Sequence, residues 1–157
     1  MTAPPDASPD AATAPADMAA AVDRYVVFMQ GLGPDALDRL DEGLTEDARF
    51  CDPFNDVTGL PAMRRVFAHT YRMLRDVEIE VTDRAIVDDR CYLRWVFHYR
   101  MARSPKRWSV VGISELHFAP DGRVSAHIDY WDAAGQIYEK LPVLGPILRR
   151  IRRRLQP

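Results

Sequence analysis

The hydrophobic period of this chain changes once, near Asp76, and the change limits the folds that the chain can adopt. Before this point apolar residues recur every three or four positions, as on one face of a helix. After it they alternate with polar residues, as in a strand. Turn-forming pairs at residues 88–89, 104–105 and 121–122 divide the second part into successive strands. Helices followed by neighbouring strands predict an α+β fold with a long antiparallel meander.

Three helices are predicted before the meander. The first begins near Met18 and ends at residues 31–34, where a short second helix starts at once, and the third covers residues 60–74. A short apolar stretch at residues 48–51 lies between the second and third helices. It runs into Asp52 and Pro53, where the proline, which lacks an N–H, ends any strand pairing.

Composition indicates one small domain behind a disordered leader. Residues 1–17 are mainly Ala, Pro, Asp, Ser and Thr, with neither the basic nor the apolar part of a signal peptide. The 157 residues are 47% hydrophobic, which suffices for one core, and residues 18–140 are the predicted domain. A net charge of −2 argues against a nucleic-acid partner. Two cysteines without metal-binding spacing favour a reducing, cytoplasmic location.

The predicted strand at residues 91–101 has one unusually aromatic face. Its inward positions are Leu93, Trp95, Phe97, Tyr99 and Met101, and the positions between them carry Arg94, Val96, His98 and Arg100. An aromatic face of this kind, covered by helices, predicts an apolar cavity at the open end of a curved sheet. A solid aromatic core is the alternative.

The last predicted strand places His127, Asp129 and Trp131 on one face, because strand side chains alternate with period two. Ordinary burial would instead select Ile128 and Tyr130 for the interior and leave the imidazole and carboxylate in water. Trp131 opposes that assignment, since an indole favours a largely buried surface. The face therefore either meets solvent or lines a cavity that contains an acid and an imidazole.

This order of elements resembles the nuclear transport factor 2-like superfamily, which includes ketosteroid isomerases, SnoaL-like polyketide cyclases and non-catalytic binders. The resemblance covers about residues 18–140 and includes the Asp-Pro loop and the Tyr-Trp pair that ends the meander. It implies a cone-shaped, curved antiparallel sheet wrapped around three N-terminal helices. Members often form homodimers through the outer sheet face, which here carries Arg94, His98, Arg100, Glu115 and His117. Unrelated chemistries share this fold, so the resemblance does not fix the reaction.

The isomerases suggest roles for three positions. Residues 23–28 resemble the first-helix segment whose tyrosine donates to the substrate oxyanion, and this tyrosine would be Tyr25. Residues 48–53 resemble the segment with the proton-shuttling carboxylate, which would be Asp52. The second oxyanion donor of the isomerases, a neutral aspartic acid, falls on Ser114, whose hydroxyl is a weaker donor.

The cyclases and epoxide hydrolases instead have their catalytic aspartate on the last strand, in runs similar to residues 129–132. This similarity assigns a catalytic role to Asp129, next to His127. The epoxide hydrolases also need an arginine and a second aspartate on the earlier strand. Here Leu93, Trp95 and Phe97 occupy its inward positions.

The sequence therefore supports two classes of function. The first is a small enzyme that moves a proton next to the carbonyl of a hydrophobic or lipid-like substrate, by isomerisation, cyclisation or dehydration. The second is a non-catalytic binder of a hydrophobic small molecule, in which His127 and Asp129 only satisfy each other at the cavity mouth. No cofactor and no metal are expected. The catalytic candidates are Asp52, Asp129, Tyr25, His127 and Ser114, and the substrate-binding candidates are Trp95, Phe97, Tyr99, Trp131, Phe28 and Phe50.

The C-terminal segment, residues 141–157, forms a predicted short basic helix. Ile147, Leu148, Ile151 and Leu155 make an apolar stripe, and the arginines beside it are Arg149, Arg150, Arg152, Arg153 and Arg154. Such a helix can lie on an anionic membrane surface or bind an acidic partner. Alternatively it packs against the domain or a second copy, where arginine near a helix C-terminus is favourable.

Overall fold

The computed structural model describes Pro15 and residues 17–156, so most of the predicted disordered leader lies outside the described residues. Helix α1 (Met18–Gln30) is capped at its N-terminus by Asp17, whose Oδ1 accepts a hydrogen bond from the backbone N–H of Ala20 at 2.9 Å. The predicted second helix is a 3-10 helix, Pro34–Glu42, and the third is α2 (Leu60–Met73).

Six strands form one sheet on which α1 and α2 pack. They are β1 (Leu44–Cys51), β2 (Asp56–Thr58), β3 (Leu74–Val87), β4 (Arg90–Met101), β5 (Arg107–Phe118) and β6 (Val124–Tyr130), arranged in the order β2-β1-β6-β5-β4-β3. The α+β prediction and the curved sheet with its N-terminal helices are confirmed.

Strand β1 departs from the predicted meander in one respect. It ends at Cys51, before Asp52 and Pro53 as expected, yet it is paired on both edges. Its partner β2 is antiparallel, whereas β6 runs parallel to it, with Phe50 opposite His127. The remaining strand pairs of the sheet are antiparallel. The chain therefore returns its last strand to the middle of the sheet, beside its first.

Alternation along β4 and β5 separates the core from the outer face. Leu93, Trp95 and Tyr99 are buried on the inner face of β4, and Arg94 and Arg100 are exposed on the outer face. The inward residues of β5 are Val110, Gly112, Ser114, Leu116 and Phe118, of which only Gly112 has no side chain. Together with apolar residues of α1 and α2, these form one hydrophobic core.

The chain ends in the predicted basic helix. After β6 come α3 (Ala133–Gln136), a 3-10 turn (Tyr138–Lys140) and α4 (Leu144–Leu155). Arg149 donates to the backbone carbonyl of Glu139, and Arg152 forms an ion pair with the side chain of Glu139. Among the helices that the structure describes, none has the length and apolar character needed to cross a bilayer.

Candidate functional site

A cavity of about 450 Å³ lies between the inner face of the sheet and the helices α1 and α2. Its wall is mostly apolar and comes from α1, α2, the strands β1, β3, β4, β5 and β6, the loop after β1 and the segment after β6. Five of the six residues predicted to bind substrate line it, namely Phe50, Trp95, Phe97, Tyr99 and Trp131. All five predicted catalytic residues line it too, namely Tyr25, Asp52, Ser114, His127 and Asp129.

Phe28, the sixth predicted substrate-binding residue, is not among the residues that line the cavity. Its ring packs over Gly43, where an added Cβ would lie 2.4 Å from a ring carbon, and it contacts the ring of Tyr25 with centroids 5.8 Å apart. Phe28 therefore packs between Gly43 and Tyr25.

Five side chains form one hydrogen-bonded group, here called the Asp129 cluster: Tyr25, Trp95, Ser114, His127 and Asp129. The imidazole of His127 lies 2.8 Å from the Tyr25 hydroxyl through Nδ1 and 2.9 Å from Asp129 Oδ1 through Nε2. Ser114 Oγ lies 2.5 Å from the same carboxylate oxygen and 3.1 Å from His127 Nε2. The indole N–H of Trp95 donates to Ser114 Oγ at 2.8 Å.

Strand register brings these residues together. Ser114 on β5 is directly opposite Asp129 on β6, and Trp95 on β4 is opposite Gly112 on β5. Because Gly112 has no side chain, the Trp95 indole lies across it; a Cβ there would be 2.4 Å from ring atoms. The indole N–H thereby reaches Ser114, one inward position further along β5. Gly112 is a site residue that sequence reasoning missed, although a glycine inside an alternating strand indicates close approach.

The hydrogen bonds of the Asp129 cluster have one direction. An ionised carboxylate only accepts, so in the neutral imidazole His127 carries its hydrogen on Nε2, and Nδ1 accepts from Tyr25. Ser114 likewise donates to Asp129 Oδ1, while its own oxygen accepts from Trp95. Oδ1 of Asp129 thus receives two hydrogen bonds, and Oδ2 receives none from the residues that the structure describes. Asp129 itself lines the cavity.

The inner end of the cavity is buried. His127 is 6% exposed, with the rings of Tyr25 and Phe50 edge-on at 5.9 and 5.5 Å. His127 and Asp129 do pair, as the predicted alternative expects, and the imidazole of the pair is buried. Burial raises the pKa of Tyr25 well above its usual value, and the charge of Asp129 adds to this effect. The phenol therefore keeps its proton and acts as a donor.

Asp52 lines the same cavity, but its carboxylate also fastens the loop after β1. Its Oδ1 accepts hydrogen bonds from the backbone N–H groups of Phe54 and Asn55, at 2.8 and 2.6 Å, and from the Asn55 amide at 3.0 Å. This arrangement is an Asx-type turn. The loop carries Phe54, which also lines the cavity and meets the Trp131 ring edge-on at 5.3 Å. A large aromatic residue within a polar loop was the sequence feature that could have identified Phe54.

The remaining histidines lie apart from the cluster. His98 and His117 are on the outer sheet face, where they contact Ser109 and Glu115, and His69 lies exposed on α2 at the edge of the cavity. Within residues 17–156, no group of three or more His, Cys, Asp or Glu side chains is arranged to hold a metal ion.

A six-stranded sheet closed by helices over an apolar cavity is the fold of solved structures described as NTF2-like or ketosteroid isomerase-like. Residues 22–127 match the family model of the SnoaL-like domain, and the chain belongs to this family. The resemblance seen in the sequence is thereby confirmed. Comparison with curated protein sequences finds no match.

Several solved structures of other proteins share this fold. TsrD from Streptomyces laurentii is 21% identical, with a TM-score of 0.63 over 75% of this chain and 95% of that chain. A protein from Jannaschia sp. CCS1 described as a SnoaL-like polyketide cyclase is 15% identical, with a TM-score of 0.64 over 75% and 90%. An LEH-like epoxide hydrolase from M. tuberculosis is 15% identical, with a TM-score of 0.60 over 85% and 94%. At these identities the likeness establishes the fold alone.

Proposed function

We propose that the protein is a cavity enzyme that transfers a proton at the carbon next to the carbonyl of a hydrophobic substrate, with Asp129 as the general base. One observation supports this proposal above all. Asp129 is held by two donors at Oδ1, and its Oδ2 is left without a partner among the described residues, on the wall of an apolar cavity. A fixed carboxylate of this kind suits proton abstraction.

The proposed step moves a proton from carbon to oxygen. Asp129 Oδ2 takes the proton from the carbon next to the carbonyl, and the electron pair of the broken C–H bond moves into an enolate. The protonated carboxyl group then returns the proton at another carbon, which isomerises the substrate. Alternatively, the enolate carbon attacks a second carbonyl to close a ring, and the alkoxide formed from that carbonyl takes the proton from Asp129. In a third course, the enolate expels a hydroxyl group, which leaves as water after taking the proton from Asp129.

The other members of the Asp129 cluster position the base and respond to its protonation. His127 and Ser114 stabilise the ionised carboxylate in the resting state, and Tyr25 fixes the imidazole through Nδ1. Once Asp129 carries the substrate proton, it needs fewer donors, and the Ser114 hydroxyl becomes available to the developing oxyanion. Trp95 still donates to Ser114 Oγ and holds it in place.

Asp52 has a different proposed role. Its Oδ1 is occupied by three hydrogen bonds from its own loop, so its first role is to hold Phe54 against Trp131 at the wall of the cavity. It is a positioning residue for the ligand, and Asp129 is the base.

A non-catalytic carrier of a hydrophobic molecule is the second candidate, and one observation favours it. In the resting state the side-chain N–H and O–H groups of Tyr25, Trp95 and Ser114, and the Nε2–H of His127, are all donated within the cluster. A ligand would therefore meet the apolar wall and the Asp129 carboxylate, with no hydrogen-bond donor of the cluster aimed at it.

Deuterium exchange separates the two candidates without knowledge of the net reaction. The protein is incubated in D₂O with hydrophobic ketones of increasing size and with any compound retained through native purification, and mass spectrometry follows deuterium uptake next to the carbonyl. Wild-type protein should catalyse exchange, and Asp129→Asn should lower the rate by a factor of about 10²–10⁴ while still binding the ketone.

Asp83→Asn is the matched control, because Asp83 is an exposed carboxylate on β3, outside the cavity wall. It should exchange at the wild-type rate. Exchange at an undiminished rate in Asp129→Asn would exclude Asp129 as the base. Retention of a tightly bound compound whose hydrogens no variant exchanges would favour the carrier.

A further inference from the structure

The C-terminal helix α4 turns its apolar side away from the domain. Ile147 is 54% exposed, Ile151 52% and Leu155 82%, and Leu144 beside them is also exposed. These four residues recur at helical spacing and form one continuous stripe, here called the α4 stripe. A helix that packs on its own domain to bury apolar surface would have the opposite orientation.

The contacts of α4 with the domain come from its other side. Gly145 is buried so closely against the backbone of Glu139 that a Cβ would lie 2.2 Å from that carbonyl oxygen. Arg149 donates to the same carbonyl at 2.5 Å, and Arg152 pairs with the side chains of Glu139 at 3.1 Å and Asp132 at 3.8 Å. Backbone contact and charge therefore hold the helix in place, and the α4 stripe stays uncovered.

The charge of α4 contrasts with that of the whole chain. The protein has a net charge of −2, whereas five arginines lie between Arg149 and Arg154 and no acidic residue lies in α4. Arg150, Arg153 and Arg154 are exposed and make no ion pair with the residues that the structure describes. An uncovered apolar stripe bordered by cations fits a surface that is both apolar and anionic.

We propose that α4 binds the surface of an anionic phospholipid bilayer. The α4 stripe enters the boundary between headgroups and acyl chains, and Arg150 and Arg154, on the flank of the stripe, meet the lipid phosphates. Arg153 lies on the opposite side of the helix and adds to its positive charge near the surface. A second copy of the chain fits less well, because pairing two α4 stripes would bring two sets of these arginines together. A docked α4 would keep its contacts with Glu139 and Asp132, since these lie on the side away from the stripe.

Vesicle co-sedimentation of the full chain tests this proposal. Vesicles of phosphatidylcholine with an equal part of phosphatidylglycerol are compared with vesicles of phosphatidylcholine alone. Wild-type protein should bind the anionic vesicles preferentially, and added salt should weaken the binding. The triple variant Arg150→Gln, Arg153→Gln, Arg154→Gln should partition about 25- to 100-fold less, since each arginine near the surface contributes roughly fivefold and Arg153 lies further from the surface than the other two.

Two further variants separate the apolar and electrostatic contributions. The triple variant Ile147→Ser, Ile151→Ser, Leu155→Ser should also lose vesicle binding. Its far-ultraviolet circular dichroism spectrum should differ from that of the wild type by no more than the loss of helix α4. The control Arg65→Gln, Arg75→Gln, Arg103→Gln removes the same charge from exposed positions elsewhere and should bind like the wild type.

Three results would overturn the proposal: no binding to anionic vesicles, equal loss in the control variant, or equal binding to both vesicle types. Dimerisation that depends on the α4 stripe and occurs without lipid would assign the stripe to a second copy instead.

Discussion

Strands β4 and β6 belong to the same curved sheet, yet they face the cavity with opposite chemistry. The inward residues of β4 are apolar or aromatic and its outward ones include Arg94 and Arg100. On β6, His127 and Asp129 point inward, while Tyr130 is 57% exposed on the outer face. The first pattern is what burial of apolar surface selects. The second is its inversion, and such local exceptions concentrate at functional sites.

The inversion is tolerated because β6 is supplied with hydrogen-bond partners from other elements. Tyr25 of α1, together with Ser114 of β5, satisfies the imidazole and the carboxylate of β6. Trp95 of β4 then satisfies Ser114, so the apolar strand contributes one polar atom to its polar counterpart. The two strands therefore differ in what they contribute: β4 supplies mainly buried apolar surface, and β6 supplies the imidazole and the carboxylate of the Asp129 cluster.

The largest change in stability is expected from Trp95→Ala, which tests the difference between β4 and β6. Removal of the 9%-exposed indole leaves a void over Gly112 and removes the donor to Ser114, so the free energy of unfolding should fall by about 3–5 kcal/mol. Asp129→Asn, which keeps the volume, should change it far less. Urea denaturation followed by tryptophan fluorescence measures both. Equal losses in the two variants would contradict this difference.

A pH series tests whether the buried inner face of β4 accepts only uncharged side chains. Burial raises the pKa of the fully buried Cys91 thiol from its usual 9.0 to about 11, with a small opposing effect of Arg84. Below pH 9 the thiol is protonated in both states. As the pH rises from 9 towards 11, the thiol ionises in the unfolded chain before it ionises in the folded one. The free energy of unfolding therefore decreases, by about 2 kcal/mol at pH 11.

Cys91→Ala should therefore show a shallower loss of stability than the wild type between pH 9 and pH 11, in denaturant titrations at each pH. The comparison depends on the slope, because the substitution also leaves a small void at all pH values. Parallel pH profiles for the two proteins would show that this thiol does not resist ionisation.

The smallest effect is expected from Tyr25→Phe, which tests how β6 is supplied with partners. The change leaves His127 Nδ1 without its donor in a buried position and should lower stability by about 1–2 kcal/mol. Tyr92→Phe, on the outer sheet face, is the matched control and should be near neutral. A Tyr25→Phe protein as stable as this control would mean that the imidazole finds another partner.

Most of the fold could be predicted, and so could the side chains that share the inner face of the last strand, because both depend on local periodicity. The change of period near residue 76 indicated helices before strands, and alternation placed His127 and Asp129 on the same face as Trp131. These features depend only on neighbouring residues in the chain.

Features that depend on register or helix orientation could not be predicted. The Trp95–Ser114 hydrogen bond requires the exact pairing of β4 with β5, which the sequence of either strand alone does not specify. Tyr25 and Phe28 lie near one side of α1, and only tertiary packing decides that Tyr25 lines the cavity while Phe28 packs over Gly43. The parallel pairing of β1 with β6 joins distant parts of the chain and has no local signature.

That pairing also has a consequence for folding order. Until β6 is in place, β1 with β2 and the meander β3–β5 have no strand to connect them, because β6 is the strand between β1 and β5. Contacts between such distant segments form late, after the entropy of closing the intervening loop has been lost. The strand that carries His127 and Asp129 is thus also the strand that joins the two parts of the sheet. A chain that stops short of Val124 should consequently lack a continuous sheet, and not only its polar cluster.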